Sequence, residues 1–211
     1  MIWNKQLALL ILLLVLVIPS DLFAQRFKSG AMLGISTSQV EGDLYSGFRK
    51  AGPLAGLYVY RSLSEKSIAE LQIYFIQKGS RKNNDPANGD IKFYLLRLNY
   101  IEIPLLYRYQ QSSKLSFEIG PAFGTLLSAY EEDENGETIL EKPFNDFELS
   151  GQIGINYQLF ANFILNTKVS YSLIPIREPS ARNSFQYFDQ GQFNSVIAFA
   201  LKYEFGNGKT E

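Results

Sequence analysis

The side chains in this chain that could take part in chemistry are carboxylates, amines, guanidiniums and amides, because the sequence contains no histidine and no cysteine. Catalytic triads with histidine, His or Cys metal sites, thiol nucleophiles and disulfides are therefore excluded. Nine of the remaining polar residues recur with a period of two and share one face of strand-like stretches. They are Glu70, Gln72, Glu102, Arg108, Glu118, Glu148, Gln152, Lys168 and Lys202. Arg97 joins this set if a bulge shifts its strand by one residue.

Paired carboxylates in such a set could perform general acid–base catalysis, as in glycosidases or aspartyl enzymes. Against an enzyme stand the absence of histidine and the absence of any nucleotide-binding fingerprint. Charges of both signs in a narrow interior must pair, because an isolated buried charge is very costly. We therefore expect a hydrogen-bonded ionic network that plugs the interior, with no catalytic residue, cofactor or metal ion. A narrow, gated ion pathway is the alternative.

The chain has 211 residues, of which 46% are hydrophobic and 19% are charged, and this suits one folded domain or at most two small ones. The 20 basic and 21 acidic residues give a net charge of −1. We expect no nucleic-acid partner, because nucleic-acid-binding domains carry a clear basic excess. The aromatic fraction of 14% is typical of a β-rich protein.

Residues 1–24 have the layout of a secretory signal peptide, with Lys5 before an apolar run at 7–18. Cleavage is expected directly after the small residue Ala24. The run of 12 residues is too short for a membrane anchor, which needs about 20. Residues 25–211 contain no apolar run that could form a spanning helix, so membrane residence would require a β-barrel.

The rest of the chain divides into eight strand-like stretches with period-two alternation. They cover 26–38, 51–62, 67–80, 91–110, 114–129, 144–158, 162–174 and 192–205. Short connections at 62–66, 110–114 and 159–162 alternate with long polar ones at 39–50, 80–90, 130–143 and 175–191. This alternation predicts an all-β, eight-stranded, antiparallel up-and-down transmembrane barrel over residues 25–211. The short turns and both termini would be periplasmic and the long loops external.

The two faces of each stretch differ in kind: one is apolar and the other mixes single charges with Gly, Ala and Ser. A soluble, lipocalin-like periplasmic barrel that binds an apolar ligand would place the apolar face inside, whereas a membrane barrel places it outside. Eight strands enclose a lumen that is too narrow for four large apolar residues per strand, so we favour the apolar face outside. Aromatic residues near the strand ends would then form interfacial girdles. These are Tyr60, Tyr107, Tyr109, Tyr157, Tyr203 and Phe205.

The fourth stretch changes phase. Its first half has Tyr94, Leu96, Leu98 and Tyr100 in one phase, and its second half has Ile101, Ile103, Leu105 and Tyr107 in the other. A bulge near residues 100–101 would keep both sets facing lipid.

Two segments of this chain, ELQIYFIQKGSR at 70–81 and LNYIEIPLL at 98–106, carry a family resemblance. They resemble the signature of the outer-membrane β-barrel domain family of Bacteroidetes, whose members are called porin-family or PorT-like proteins. The stretches at 117–128, 147–157 and 200–205 are similar to further strands of that family. The family usually has Asp where this chain has Glu148, and Gly where it has Ile174.

The resemblance implies a cleaved signal peptide, an eight-stranded barrel and residence in the outer membrane, but no uniform activity. One group of the family is linked to a protein-secretion apparatus. Phe205 fits the carboxy-terminal signal read by the barrel-assembly machinery, which would be a partner during insertion. The protein would act through its external loops, as a structural or interaction protein with an envelope partner that the sequence does not identify.

Outer-membrane lipid is the remaining expected partner. Lys78, Arg81 and Lys82 flank the second long loop and could contact the phosphates of lipopolysaccharide, or stay hydrated. The acidic loop at 130–143 could collect Ca²⁺, but it lacks the ordered spacing of a calcium loop, so we expect it to be solvated.

Overall fold

The structure is a computed structural model that describes residues 27–43, 45, 47–84, 86, 89, 91–137, 143–178 and 191–206. The predicted signal peptide at 1–24 lies outside these residues. No helix among the described residues is long and apolar enough to cross a membrane.

Nine strands make up the part of the fold that the structure describes, and eight of them are long. They are β1 (Lys28–Glu41), β2 (Lys50–Ser62), β3 (Ser67–Lys82), β4 (Tyr94–Gln110), β5 (Leu115–Asp133), β6 (Gly136–Glu137), β7 (Phe147–Phe160), β8 (Phe163–Ser172) and β9 (Phe193–Phe205). The two-residue β6 only extends the β5 hairpin, through the pairs Glu132–Glu137 and Asp133–Gly136. The eight long strands match the eight predicted stretches to within a few residues at each end.

The sheet closes on itself. Each long strand pairs antiparallel with its neighbours in the chain, β5 pairs with both β4 and β7, and β1 pairs with β9. Short connections at 63–66, 111–114 and 161–162 alternate with long ones at 42–49, 83–93, 134–146 and 173–192. The predicted eight-stranded up-and-down barrel is therefore confirmed. Closure gives every long strand a paired neighbour on both sides, so the ladder donors and acceptors along the barrel wall bond within the chain.

The outer surface of the barrel is apolar and its interior is polar over much of its length. On β7 and β8, Ile153 is 63% and Val169 50% exposed, whereas the intervening Gln152 and Lys168 are each 2% exposed. An apolar outer belt is stable only against lipid. The alternative of a soluble, lipocalin-like barrel with an apolar ligand cavity is therefore wrong.

The predicted bulge on the fourth strand is also wrong. Tyr94, Leu96, Leu98 and Tyr100 point into the barrel, in the same phase as Glu102. The register does shift here, but on the partner strand: Asn99 pairs with Ser128 and Tyr100 with Leu126, which leaves Leu127 of β5 as the extra residue. The interior near the long loops is apolar, so large apolar side chains on β4 need no change of phase to be buried. Arg97 accordingly lies outside, on the exposed face.

Five of the six predicted girdle aromatics lie exposed on the outer surface near the short-turn end. They are Tyr107, Tyr109, Tyr157, Tyr203 and Phe205. Tyr60 is the exception, because it is buried inside the barrel and its hydroxyl donates to Glu204.

Candidate functional site: the lumen network

All nine residues of the predicted polar set point into the barrel, and none is more than 4% exposed. They come from β3, β4, β5, β7, β8 and β9, where period-two alternation puts every second side chain on the inner face. The structure brings them together in three groups, two centred on a carboxylate and one on a lysine.

The first group is centred on Glu70 of β3, nearest the short turns. Arg108 donates to Glu70 Oε2 at 2.8 Å, and Lys202 of β9 forms an ion pair with Glu70 Oε1. Gln72 also donates to Oε1 at 2.6 Å, and its own carbonyl accepts from Lys168 of β8 at 2.7 Å. One carboxylate thus connects side chains from β3, β4, β8 and β9 across the lumen.

The second group is centred on a lysine that the predicted set did not contain. Lys78 of β3 is fully buried and lies between Glu102 of β4 and Glu148 of β7. Its ammonium forms an ion pair with Glu102 and donates to both oxygens of Glu148, at 3.0 and 3.1 Å. Neutral donors complete both carboxylates, since Tyr74 and Gln152 donate to Glu102 at 2.7 and 3.0 Å.

Glu148 receives two further hydrogen bonds, from the Ser172 hydroxyl at 2.7 Å and the Asn194 amide at 3.0 Å. Each carboxylate of this group therefore has one charged partner and two neutral ones. Such full satisfaction is the condition under which a buried ionic network is tolerated.

The third group holds a carboxylate with amides. Asn156 of β7 donates to Glu118 Oε2 at 2.6 Å, and Asn166 of β8 donates to Oε1 at 2.8 Å. Asn166 also donates to Asn156 at 2.9 Å, so the two amides are locked to each other. The Lys168 charge acts favourably on Glu118 from a neighbouring position.

Each of the four buried cations of the network also lies over the ring of a tyrosine. The pairs are Lys202 with Tyr58 at 4.3 Å, Arg108 with Tyr60 at 4.6 Å, Lys168 with Tyr74 at 4.8 Å, and Lys78 with Tyr100 at 5.1 Å from the ring centroid. A cation over an aromatic face is stabilised by about 2 kcal/mol when it is desolvated. Tyrosines on β2, β3 and β4 thus serve as an aromatic lining of the lumen.

Sequence reasoning missed Lys78 because it was grouped with the cations that flank the following loop, as a candidate lipid contact or a hydrated side chain, and that assignment is wrong. The period-two alternation of β3 could have identified Lys78 as an inward residue. The same inward face of β3 carries Glu70, Gln72, Tyr74 and Ile76. Gly79, which follows Lys78, lies within β3 with a φ of +137°. The two segments that carry the family resemblance meet around Lys78. Segment 70–81 contributes Lys78, and segment 98–106 contributes Tyr100 and Glu102.

Sequence reasoning also missed a smaller ionic group at the short-turn end. Glu204 accepts from the Tyr60 hydroxyl and from Lys28, the latter at 3.1 Å with the lysine half exposed. With this pair included, five carboxylates of the lumen face five cations.

An apolar layer covers the polar groups towards the long loops. Leu54, Ile76, Leu96, Leu98 and Val196 point inward from the strands and are at most 3% exposed. Two side chains from the long connections, Phe144 and Ile176, pack onto them and are also buried.

An ion pair lies on the side of this apolar layer that faces the long loops. Arg177 donates to Glu131 at 2.7 Å and lies 4.0 Å from the centroid of the Phe144 ring. The Tyr94 hydroxyl also donates to Glu131, at 2.8 Å. The backbone of Asn145 donates to the carbonyl of Ile176, so the two connections are tied to each other.

The outer loop beside this layer contains a buried carboxyl. Asp43 accepts from the backbone N–H of Tyr45 at 2.8 Å, and Tyr45 stacks on Tyr94 at 4.6 Å. Burial raises the pKa of Asp43 above its ordinary value of 3.8, against the lowering effect of a hydrogen bond from Ser80. The described residues contain no group of three or more carboxylates arranged to hold a metal ion.

A closed eight-stranded barrel with an apolar belt outside and paired charges inside is the construction of an integral outer-membrane protein. The chain belongs to the outer membrane protein beta-barrel domain family, whose model matches residues 23–178. A search of the curated proteins finds no match.

Several solved outer-membrane proteins resemble this chain in fold. Neisserial surface protein A has a TM-score of 0.53 at 11% identity, with 85% of this chain and 97% of that chain covered. Ail of Yersinia pestis has a TM-score of 0.49 at 12% identity (85% and 99% covered), and OprG of Pseudomonas aeruginosa has 0.40 at 14% (85% and 94%). At these identities the likeness to Neisserial surface protein A shows the fold alone.

Proposed function

We propose that this protein is a plugged, non-enzymatic outer-membrane barrel that acts through its external loops as a structural or interaction protein of the cell envelope. The observation that carries the proposal is the filling of the lumen by two stacked layers, one ionic and one apolar. A transport pathway or a catalytic cleft would need open space at the position of one of them.

The ionic layer supports a structural role because its charges are directed at one another. Lys78, Arg108, Lys168 and Lys202 are all at most 4% exposed. Each binds a carboxylate or an amide of a neighbouring or a facing strand. Such contacts fix the register of the strands and neutralise the charges of the network within the barrel. The same arrangement argues against acid–base catalysis, because a substrate would have to displace these bonds to reach a carboxylate.

The apolar layer supports occlusion because it places aliphatic side chains across the lumen where polar solutes would have to enter. Phe144 and Ile176 from two different long connections complete this layer. A dry apolar constriction is a barrier to the passage of water and ions.

The orientation follows from the positions of the strand ends. β1 begins and β9 ends beside each other at the short-turn end, where Ser29 pairs with Phe205. In outer-membrane barrels the short turns are periplasmic, which supports placing both termini in the periplasm. The proposal includes cleavage of the signal peptide at 1–24 after export. The barrel-assembly machinery would act on the closing strand during insertion.

We also propose that the chain belongs to the Bacteroidetes branch of porin-family, PorT-like proteins. The motifs that suggested this branch form the centre of the ionic layer, through Lys78, Tyr100 and Glu102. Membership of this branch leaves open both a general surface protein and a component of a secretion apparatus. The external partner is an envelope protein or lipid that the loops would contact.

Planar-bilayer recording tests the plug. Protein that shows the heat-dependent gel mobility of a folded barrel should give no conductance steps at 100 mV. The matched variant removes Tyr74 and Tyr100, two of the largest fully buried side chains, by alanine substitution and should conduct. Conductance of the unmodified protein would establish the narrow pore instead.

Cysteine labelling in intact cells tests the orientation, and the natural chain offers no background because it has no cysteine. Ile91, 72% exposed in the connection between β3 and β4, should be labelled as Ile91→Cys by a membrane-impermeant maleimide. Ser113→Cys in the β4–β5 turn is the matched control and should react only after the cells are opened. The reverse pattern would invert the barrel.

A further inference from the structure

Three cations near the long-loop end of β2, β3 and β4 lack a carboxylate partner among the described residues. They are Lys50, Arg81 and Arg97. Lys50 is only 4% exposed, and its ammonium donates to two neutral acceptors, the Gln77 side chain at 2.6 Å and the carbonyl of Ala51 at 2.7 Å. This contrasts with Lys78, Arg108 and Lys202, each of which pairs with a carboxylate.

The two arginines are outward and exposed. Arg97 alternates with the fully buried Leu96 and Leu98 and lies over the Tyr130 ring at 5.1 Å. Arg81 donates from Nε to Asn83 at 2.7 Å, which leaves its two terminal nitrogens available.

The three positive charges are close enough to repel one another, since both Arg81 and Arg97 act unfavourably on the Lys50 ammonium. Arg97 pairs with Gly79 and Leu95 with Arg81, so the arginines are diagonal neighbours on adjacent strands, about 7–8 Å apart at the backbone. A cluster of like charges with one member buried is costly unless an external anion completes it.

The height of the cluster relative to the membrane follows from a row of hydrogen bonds on the outer face. Gln77 donates to Asn99 at 2.9 Å, Asn99 donates to Ser128 at 2.9 Å, and Lys50 donates into the row at Gln77. Below this row the outward residues of β3 and β4 are apolar: Ile73, Leu71, Ile103 and Leu105 are 43–56% exposed. The row therefore marks the outer limit of the hydrocarbon layer.

Arg97 is two residues beyond Asn99, and Arg81 is four residues beyond Gln77. At about 3.3 Å per residue and a tilt of roughly 40°, the arginines stand about 5 and 10 Å above the row. The headgroup layer of one leaflet is about 5–8 Å thick. Arg97 thus stands within this layer, and Arg81 stands just above it, where its long side chain can reach back to the lipid phosphates. Guanidinium is the group best suited to bind phosphate through two parallel hydrogen bonds.

We propose that Arg81, Arg97 and Lys50 form a binding site for a phosphate group of an outer-leaflet lipid. Glu132 is the carboxylate opposite Leu95 on this face, and it accepts from the Tyr130 hydroxyl at 3.0 Å. The hydrogen bond from Tyr130 to Glu132 holds the Tyr130 ring under Arg97. Glu132 therefore orients the site and leaves the guanidinium of Arg97 open to the anion. The proposed site rests on the proposed orientation, which places the long-loop end of the barrel in the outer leaflet.

Binding of lipid A to the full-length mature protein in detergent micelles tests the proposal by native mass spectrometry. Three probes are compared: diphosphorylated lipid A, the same lipid without phosphates, and inorganic phosphate as competitor. The protein should bind the diphosphorylated lipid at least tenfold more tightly than the dephosphorylated one. Inorganic phosphate at millimolar concentration should not displace the lipid, since it lacks the acyl chains that contact the belt.

The variant Arg81→Gln/Arg97→Gln should weaken binding of the phosphorylated lipid by about a hundredfold and leave binding of the dephosphorylated lipid unchanged. Lys66→Gln/Lys114→Gln removes the same charge from the short turns and should bind as the unmodified protein does. Arg97→Lys keeps the positive charge but loses the planar guanidinium, so it should give an intermediate loss of binding to the phosphorylated lipid. This variant replaces the double variant in the test if the double variant fails to fold.

Equal losses in the two double variants, or equal binding of the two lipids, would overturn the site. Full displacement by inorganic phosphate would overturn the lipid as its ligand. Because the assay uses micelles, it does not depend on orientation, so an inverted barrel would be detected by cysteine labelling and not by this measurement.

Discussion

Replacement of Lys78 by methionine tests the central claim about the lumen. The substitution keeps most of the volume of the side chain but removes the charge between Glu102 and Glu148. Two buried carboxylates would then face each other without a cation. Breaking a buried ion pair by removal of one partner costs about 3–5 kcal/mol.

The structure indicates that the loss will not be twice this figure, although two carboxylates are affected. Glu102 keeps its bonds from Tyr74 and Gln152, and Glu148 keeps those from Ser172 and Asn194. Their remaining lone pairs are thus still largely satisfied, and only charge compensation is lost. We expect the free energy of unfolding to fall by about 3–5 kcal/mol.

Urea unfolding in lipid vesicles, followed by the heat-dependent gel shift, measures the change. The matched control is a double-mutant cycle with Glu102→Gln. Because Lys78→Met/Glu102→Gln removes both charges of one pair, it should lose about 1–3 kcal/mol less than the sum of the single variants. A Lys78→Met protein within about 0.5 kcal/mol of the unmodified one, or strictly additive losses, would refute the claim that the lysine neutralises both carboxylates.

Three other perturbations have outcomes that the structure determines. Val169→Arg, in the middle of the apolar belt, should cost about 2–4 kcal/mol in vesicle unfolding, whereas Leu159→Arg near the short-turn interface should cost about 0–1 kcal/mol; equal costs would mean that the belt is misplaced. Gly79→Ala should reduce the heat-shifted fraction after refolding, because a φ of +137° is unfavourable for a residue with a Cβ and the new methyl would meet the carbonyl of Leu96. The raised pKa of Asp43 means that the folded loop binds a proton more readily than the unfolded one, so its stability is greatest at acidic pH and falls as pH rises through that pKa. Hydrogen exchange at residues 47–49 should therefore increase on going from acidic to neutral pH, beyond the intrinsic rate, and Asp43→Asn should abolish the increase; an unchanged profile in Asp43→Asn would contradict this assignment.

The strands could be predicted from the sequence because their signal is local. The outward apolar residues and the inward polar ones alternate within a single strand, as at Gln152 to Ile155. Apolar side chains are stable only against the lipid outside, and polar ones only in the narrow lumen, so each residue type has one possible environment. The alternation of short and long connections is equally local, and it sufficed to order the strands around a closed barrel. The nine polar residues of the lumen follow from the same parity.

The errors lie where two environments share one face. The inner face of β4 is apolar from Tyr94 to Tyr100 and charged from Glu102 onward, so residue type alone suggested a change of phase that does not occur. Lys78 was grouped with the cations that flank the second long loop, although it continues the inward phase of β3. The positive φ of Gly79, which follows it, is accommodated inside β3.

The sequence by itself determined the strands, their order and, outside the first half of β4, which face of each strand is turned to lipid. Each of these depends on a period of two or on the length of a connection. Only the tertiary structure decided which charges meet, because Lys78 and Glu148 are 70 residues apart and come together only through closure of the sheet. The same holds for Phe144 and Ile176, whose burial depends on how two loops fold over the lumen. Likewise, only the tertiary structure shows that Lys50, Arg81 and Arg97 have no carboxylate partner within the described ranges of the chain.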